Sequence, residues 1–335
     1  MGLVRDLGAY TPSLPFRGKA SRIWTITWNF DGLLLASGGD DKTVRIWKHI
    51  PDAEKKLENM TTIDDGHNKA VRTLAFSHCG KFLMSGSFDA SMIVYAKEDG
   101  EFTETNTLEG HESEVKCVAY NASDEFLASC SRDKTVWFWQ LDEDDDYQVV
   151  SVLQAHTQDV KFVVWHPTEN LLVSCSYDSS IRFYVYDDED WVTQQKLENI
   201  HDGTVWCADF DGSGDRLVTV GEDRIVQIFK REYSNDQVVK DSWKVACKHE
   251  ISNSRWPLYS VSWNKATNLI AVAGGDATIR IFSYHETGDD IQLTEEHVIE
   301  KHTGEVNCVS WNPIFVNLLA SCSDDGTIRL TEVEI

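Results

Sequence analysis

The chain has 335 residues, 31 basic against 55 acidic side chains, and a formal charge of -24. A surface of that sign repels phosphate backbones, which argues against a general nucleic-acid-binding protein. No apolar run approaches the ~18 residues of a membrane helix, so no membrane span is expected.

The opening Met1-Gly2-Leu3-Val4-Arg5-Asp6 lacks the apolar core of a signal peptide, and Asp6 stands where a myristoylation signal wants Ser or Thr. After it, an aspartate turn followed by a strand recurs seven times, closing on Trp, Tyr or Phe in the first six. The aspartates are Asp41, Asp89, Asp133, Asp178, Asp223, Asp276 and Asp325, spaced 48, 44, 45, 45, 53 and 49 residues apart. Each repeat opens on a polar turn and an alternating strand such as Val115 to Tyr120. A second strand follows, here Phe126 to Cys130, then the aspartate turn and a third strand. Period-two alternation rich in aromatic and β-branched residues predicts half-buried strands throughout. The fourth strands are the weakest pattern, for example Val149 to Leu153 and Thr193 to Leu197. The longest irregular stretch, about Glu232 to Ser242, accounts for the widest spacing. Acidic runs Asp142 to Asp146 and Asp187 to Asp190 follow third strands and read as solvated turns.

Ser129-Cys130-Ser131-Arg132-Asp133-Lys134-Thr135-Val136-Trp137-Phe138-Trp139 is one of the sharpest copies, and it resembles the WD40 repeat. That resemblance implies an all-β, seven-bladed propeller, four strands to a blade, filling residues 1–335 as a single domain. The seventh repeat stops before a fourth strand. The N-terminal segment, within Leu3 to Phe16 and preferably Leu3 to Tyr10, is expected to supply that strand and close the ring. Pro12 and Pro15 limit its regular part.

Placed in register, the cysteines form two rows: Cys117, Cys207 and Cys308 in first strands, and Cys130, Cys175 and Cys322 in second strands. Cys79 and Cys247 stand outside them. No CxxC pair is present, so zinc or cluster ligation is not expected. The expectation is buried free thiols, one per blade, too far apart around the ring to share a metal. His67, His111, His156, His201 and His302 also share one position. In WD40 blades that histidine bonds the turn aspartate, and the network His111, Asp133, Ser129 and Trp139 is the complete example. Blades one and six lack the histidine and blade seven ends in Thr331, so those three are expected to be softer. With the histidines committed to structure, and no phosphate loop, GxSxG elbow or HExxH motif, no enzyme and no cofactor are expected.

The resemblance to WD40 propellers implies that two rows face the top of the ring. The residues before each aspartate are Asp40, Phe88, Arg132, Tyr177, Glu222, Gly275 and Asp324. The second residues of the first strands are Trp24, Arg72, Lys116, Lys161, Trp206, Tyr259 and Asn307. Arg72, Lys116, Arg132 and Lys161 fall on three adjacent blades beside Trp24, Phe88, Tyr177, Trp206 and Tyr259. Such a face suits an acidic-aromatic peptide, because Arg forks match carboxylates and aromatics stack.

Several runs are more particular. Leu108 to Lys116, Cys130 to Trp137, His156 to Lys161, Val164-Trp165-His166-Pro167, Ser176-Tyr177-Asp178 and Gly203-Thr204-Val205-Trp206 together closely resemble the WD40 subunit of the cytosolic iron–sulfur protein assembly targeting complex. The resemblance implies a non-catalytic adaptor, cytoplasmic and nuclear. Its implied partners are a small cluster-carrier protein, a large helical-repeat scaffold, a hydrogenase-like carrier and client apoproteins. It also implies a functional surface role for Arg132. The alternative is a generic peptide-reading propeller, such as a chromatin or ubiquitin-ligase receptor.

Overall fold

Alternating apolar residues make each repeat a sheet with one face to bury on either side, and the chain solves this by stacking the sheets around an axis. A computed structural model describes residues 3–12, 21–142, 146–187, 189–234, 241–288 and 290–334. Among them it contains strands and turns and no helix, so none long and apolar enough to cross a membrane. Seven antiparallel sheets of four strands each follow one another. Their innermost strands are Ile23–Trp28, Val71–Phe76, Val115–Tyr120, Val160–Trp165, Val205–Phe210, Leu258–Trp263 and Val306–Trp311. Each touches the innermost strands of both neighbouring blades, and the last touches the first, which closes the ring.

Closure uses the N-terminal strand as expected. Val4–Tyr10 pairs with Ile328–Val333, from Val4 opposite Val333 to Tyr10 opposite Ile328. Residues 13–16 of the wider expected segment lie outside the described residues. Tyr10 then packs with Ile23, Ile26, Trp28 and Leu330 between blades seven and one. The outer strands of blades three and four, Tyr147–Leu153 and Trp191–Leu197, begin two residues before their expected starts. Residues 235–240 of the long irregular stretch, and residues 143–145 and 188 of the acidic runs, lie outside the described residues.

Each pair of neighbouring blades shares its own apolar cluster. Phe138, Trp165, Tyr184 and Trp191 hold blades three and four together, with Trp191 stacked on Phe138 at 4.2 Å. Side chains buried to this degree stabilise by ~1.5–3 kcal/mol each, so the interfaces between blades dominate stability.

The turn aspartates serve a strained backbone. The residue after each one has positive φ: Lys42, Ala90, Lys134, Ser179, Arg224 and Ala277 at 61–76°, and Gly326 at 75°. A side chain costs ~1–2 kcal/mol in that region, and the aspartate holds the turn against it. In blade three the Asp133 carboxylate accepts from Thr135 N at 3.0 Å, Thr135 Oγ1 at 2.5 Å, Glu112 N at 3.1 Å and His111 Nδ1 at 2.8 Å. Ser129 Oγ donates to His111 Nε2 at 2.8 Å and accepts from Trp139 Nε1 at 2.9 Å. This order of donors fixes the histidine tautomer. Burial alone would raise the Asp133 pKa, but the bonds from His111 and Thr135 outweigh it and hold the group at about 2.

Blades one and six were expected to be softer for want of the histidine. The structure gives their aspartates a different partner: Arg45 meets Asp41 and Arg280 meets Asp276, each at 2.7 Å and both arginines buried. Blade one also keeps the bond from Trp47 Nε1 to Ser37 Oγ at 2.9 Å. In blade seven the His302 network is present, with Nδ1 2.9 Å from Asp325 and Nε2 2.8 Å from Ser321, and Thr331 is buried in the aromatic's place.

Candidate interaction face

In every blade the ladder between the first and second strands slips after the first residue. The breaks fall at Ile23/Thr25, Val71/Thr73, Val115/Cys117, Val160/Phe162, Val205/Cys207, Leu258/Ser260 and Val306/Cys308. The skipped residues are Trp24, Arg72, Lys116, Lys161, Trp206, Tyr259 and Asn307. A bulge frees its residue from the ladder and re-aims the side chain. These seven therefore turn up beside the residues that precede the turn aspartates.

There the two rows interleave. The Arg72 guanidinium lies 5.6 Å from the Trp24 ring centre, and Trp24 tilts against Phe88 at 6.0 Å. Lys116 Nζ sits 4.5 Å from the Phe88 centre. Lys161 Nζ lies between two rings, 5.3 Å from Tyr177 and 5.1 Å from Trp206, and also reaches Asp159 at 3.1 Å. Trp206 meets Tyr259 edge-on at 5.3 Å. Cation–aromatic contacts of this kind contribute ~0.5–1 kcal/mol each when exposed and more when desolvated. Arg132 stands outside the alternation. Its side chain is 58% exposed and its guanidinium meets Glu114 at 3.1 Å.

The crowding of cations shows in Lys116. Burial first, then the charges of Lys161 and Arg72, bring its ammonium down to about 8 despite the opposing Glu114. Carboxylates gather on the other side of the mouth. Asn307 Nδ2 donates to Asp324 at 2.8 Å, Thr204 Oγ1 donates to Glu222 at 2.9 Å, and Trp24 Nε1 donates to Asp40 at 2.5 Å. Glu305 and burial raise the Tyr259 phenol well above its ordinary value, burial being the larger cause. The face is thus polarised, cationic over blades two to four and acidic around blades five, seven and one.

Two members escaped the sequence reading. Trp256 is half exposed beside Tyr259 and Gly275, where a methyl on Gly275 would stand 3.1 Å from Trp256 Cβ. Arg22 lies 5.9 Å from the Trp24 ring and pairs with Asp324 at 3.3 Å. Trp256 lies two residues past Ser254, which stands at the histidine's register position in blade six, and no repeat signal marked it.

The cysteine expectation needs correcting. Cys117, Cys207 and Cys308 are not insulated around the ring, because innermost strands converge on the axis. All three line one axial cavity of about 510 Å³ with Thr25, Thr73 and Ser260. Nor are the cysteines one per blade, since Cys117 faces Cys130 and Cys308 faces Cys322 across adjacent strands. Cys79 is exposed and Cys247 and Cys308 are partly so. All eight thiols are free, and no group of three metal-ligating side chains converges among the described residues.

The WD domain, G-beta repeat model matches seven times, at residues 10–48, 58–95, 102–140, 147–184, 193–230, 246–283 and 293–331. A probable cytosolic iron-sulfur protein assembly protein, the CIAO1 homolog of Caenorhabditis elegans, is 57% identical, covering 95% of this chain and 96% of its own. The probable cytosolic iron-sulfur protein assembly protein Ciao1 of Culex quinquefasciatus is 40% identical over 95% and 96% of the two chains. Probable cytosolic iron-sulfur protein assembly protein 1 of Candida albicans is 35% identical over 93% and 97%. With seven matched repeats in a closed ring and full-length identity of this order, the chain belongs to the WD40 family and, within it, to the cytosolic iron–sulfur protein assembly proteins.

Proposed function

We propose that the chain is a non-catalytic adaptor of cytosolic iron–sulfur protein assembly, working by docking proteins on its cation–aromatic face. The observation that carries this reading is the alternation of Arg72, Lys116 and Lys161 with Trp24, Phe88, Tyr177 and Trp206 on a protein of charge -24. Fixed cations against rings suit a segment that brings both carboxylates and an aromatic side chain. In this reading Arg132, exposed at the edge, meets the carboxylate of an acidic-aromatic segment, and Tyr259 extends the aromatic shelf. The partners are a cluster-carrier protein, a large helical-repeat scaffold, a hydrogenase-like carrier and client apoproteins. The cluster is cargo passed among them. The names of the relatives support a cytoplasmic site of action, and service to nuclear clients extends it.

Affinity capture from extract, followed by titration of an acidic-aromatic peptide, tests the proposal. Arg132→Glu should weaken peptide binding about ten- to a hundredfold, the loss of ~1.5–3 kcal/mol for a charged hydrogen bond. Unchanged affinity in that variant, or capture without any assembly protein, would refute it.

A further inference from the structure

Four cysteines form two cross-strand pairs at one register position, Cys117 with Cys130 in blade three and Cys308 with Cys322 in blade seven. Directly opposed residues of an antiparallel pair hold their Cα atoms ~4.5–5.5 Å apart with both side chains on one face. That separation falls inside the window of about 4.4–6.8 Å that a disulfide spans. All four sulfurs lean on carbonyls of the next blade. Cys117 and Cys130 reach Val163 O at 3.5 Å and Val160 O at 3.7 Å, while Cys308 and Cys322 reach Ile26 O and Ile23 O, both at 3.5 Å. The pairs are therefore geometric twins, one inside the ring and one at its closing seam.

Their surroundings differ. Cys308 is enclosed by protein on most sides but keeps open surface toward the axial cavity, whereas Cys117 is only 4% exposed. The neighbouring Cys322 thiol, helped by the Arg72 charge and opposed by burial, brings the Cys308 thiol below its ordinary range. Burial pushes Cys117 up to about 11.

We propose that Cys308 and Cys322 are an oxidisable dithiol at the ring seam, a modification site whose co-reactant is a hydroperoxide reaching it through the axial cavity. The Cys308 thiolate attacks the peroxide O–O bond, gaining an S–O bond as the other oxygen leaves, protonated, as water or an alcohol. The Cys322 sulfur then displaces hydroxide from that sulfenic acid. An S–S bond forms, the Cys322 proton leaves with the hydroxide as water, and the two electrons lost by sulfur have reduced the peroxide.

The twin pair supplies an internal control. Cys308, open to the cavity and the more acidic thiol, presents more thiolate near neutrality than Cys117, whose thiol burial pushes up. The weaker nucleophilicity of the more acidic thiol offsets part of that advantage, and Cys308 should still react at least about tenfold faster. Cleavage after Lys and Arg puts Cys308 and Cys322 together in residues 302–329, and Cys117 and Cys130 together in residues 117–132. After brief hydrogen peroxide treatment of the full chain and alkylation, peptide 302–329 should lose two hydrogens and become resistant to alkylation at least about tenfold faster than peptide 117–132. Cys308→Ser should abolish the change, and Cys322→Ser should leave a Cys308 sulfenic acid that dimedone captures. Equal rates for the two peptides of the unsubstituted chain, or two alkylated thiols in 302–329 after treatment that oxidises Cys79, would overturn the proposal.

Discussion

Lys116 should make docking on the cationic face fall away on the alkaline side of neutrality. Its ammonium is held at about 8 by burial and by Lys161 and Arg72. Roughly nine tenths of the face carries the Lys116 charge at pH 7 and about one tenth at pH 9. If the acidic segment requires the charged form, its affinity drops up to about tenfold over that interval, at fixed ionic strength. Lys116→Arg keeps a cation near Phe88 that does not titrate, so its binding should stay level. Fluorescence titration of one acidic-aromatic peptide at pH 7, 8 and 9 reads both curves. Unfolding does not mimic the effect. A lysine whose folded pKa lies below its unfolded value of 10.5 leaves the unfolded chain holding more protons between about 8 and 10.5. Its contribution to stability therefore rises with pH through that window. A level curve for the unsubstituted chain, or the same slope in Lys116→Arg, would refute the reasoning.

Replacing His111 by Phe leaves the Ser129 hydroxyl and the Asp133 carboxylate each short of a buried partner. The expected cost is ~2–4 kcal/mol in urea unfolding, and a loss below ~0.5 kcal/mol would contradict the network's role. At the turns, Ala277→Gly removes ~1–2 kcal/mol of left-handed strain against ~0.4–1 kcal/mol of added chain entropy. It should stabilise by about 0.5 kcal/mol in thermal unfolding while Gly326→Ala destabilises, and the opposite order would exclude strain as the governing cause.

The ring, its closure and the display rows were legible because a repeat of fixed period lets each residue be read against six equivalents. What escaped lies where equivalence breaks. Arginine four residues after the turn aspartate occurs in blades one, four, six and seven, as Arg45, Arg182, Arg280 and Arg329. It reaches its own blade's aspartate in blades one and six, which lack the histidine. In blade seven the histidine has that carboxylate, and Arg329 crosses to Asp6 of the closing strand at 3.0 Å. The residue type alone therefore did not announce the pairing. Trp256 stands two residues before its first strand, where the equivalents Ser113, Gln158, Gly203 and Gly304 belong to neither row. The cysteines were misjudged because equivalent positions diverge at the rim but converge at the axis, and a linear spacing carries no radius.

The bulges and the turns together would let the proposed docking face carry recognition without weakening the fold. A bulged residue gives up one ladder position and turns its side chain toward the face. The residue before each aspartate is likewise anchored through its backbone: Phe88 N, Arg132 N and Tyr177 N each donate to a carbonyl of the preceding loop, at 3.0 Å. Fourteen such positions are anchored in this way, and some of their side chains pair with one another, as Trp24 does with Asp40 and Asn307 with Asp324. Where an anchored cation also rests on a ring, as Lys161 does between Tyr177 and Trp206 with 12% of its side chain exposed, its geometry is set before a ligand arrives. Little ordering entropy is then lost on binding. Arg132 combines a fixed backbone with an exposed guanidinium held by Glu114 alone among its ion pairs. An incoming carboxylate can replace Glu114 without disturbing the turn, because the Asp133 network that shapes that turn does not depend on the Arg132 side chain.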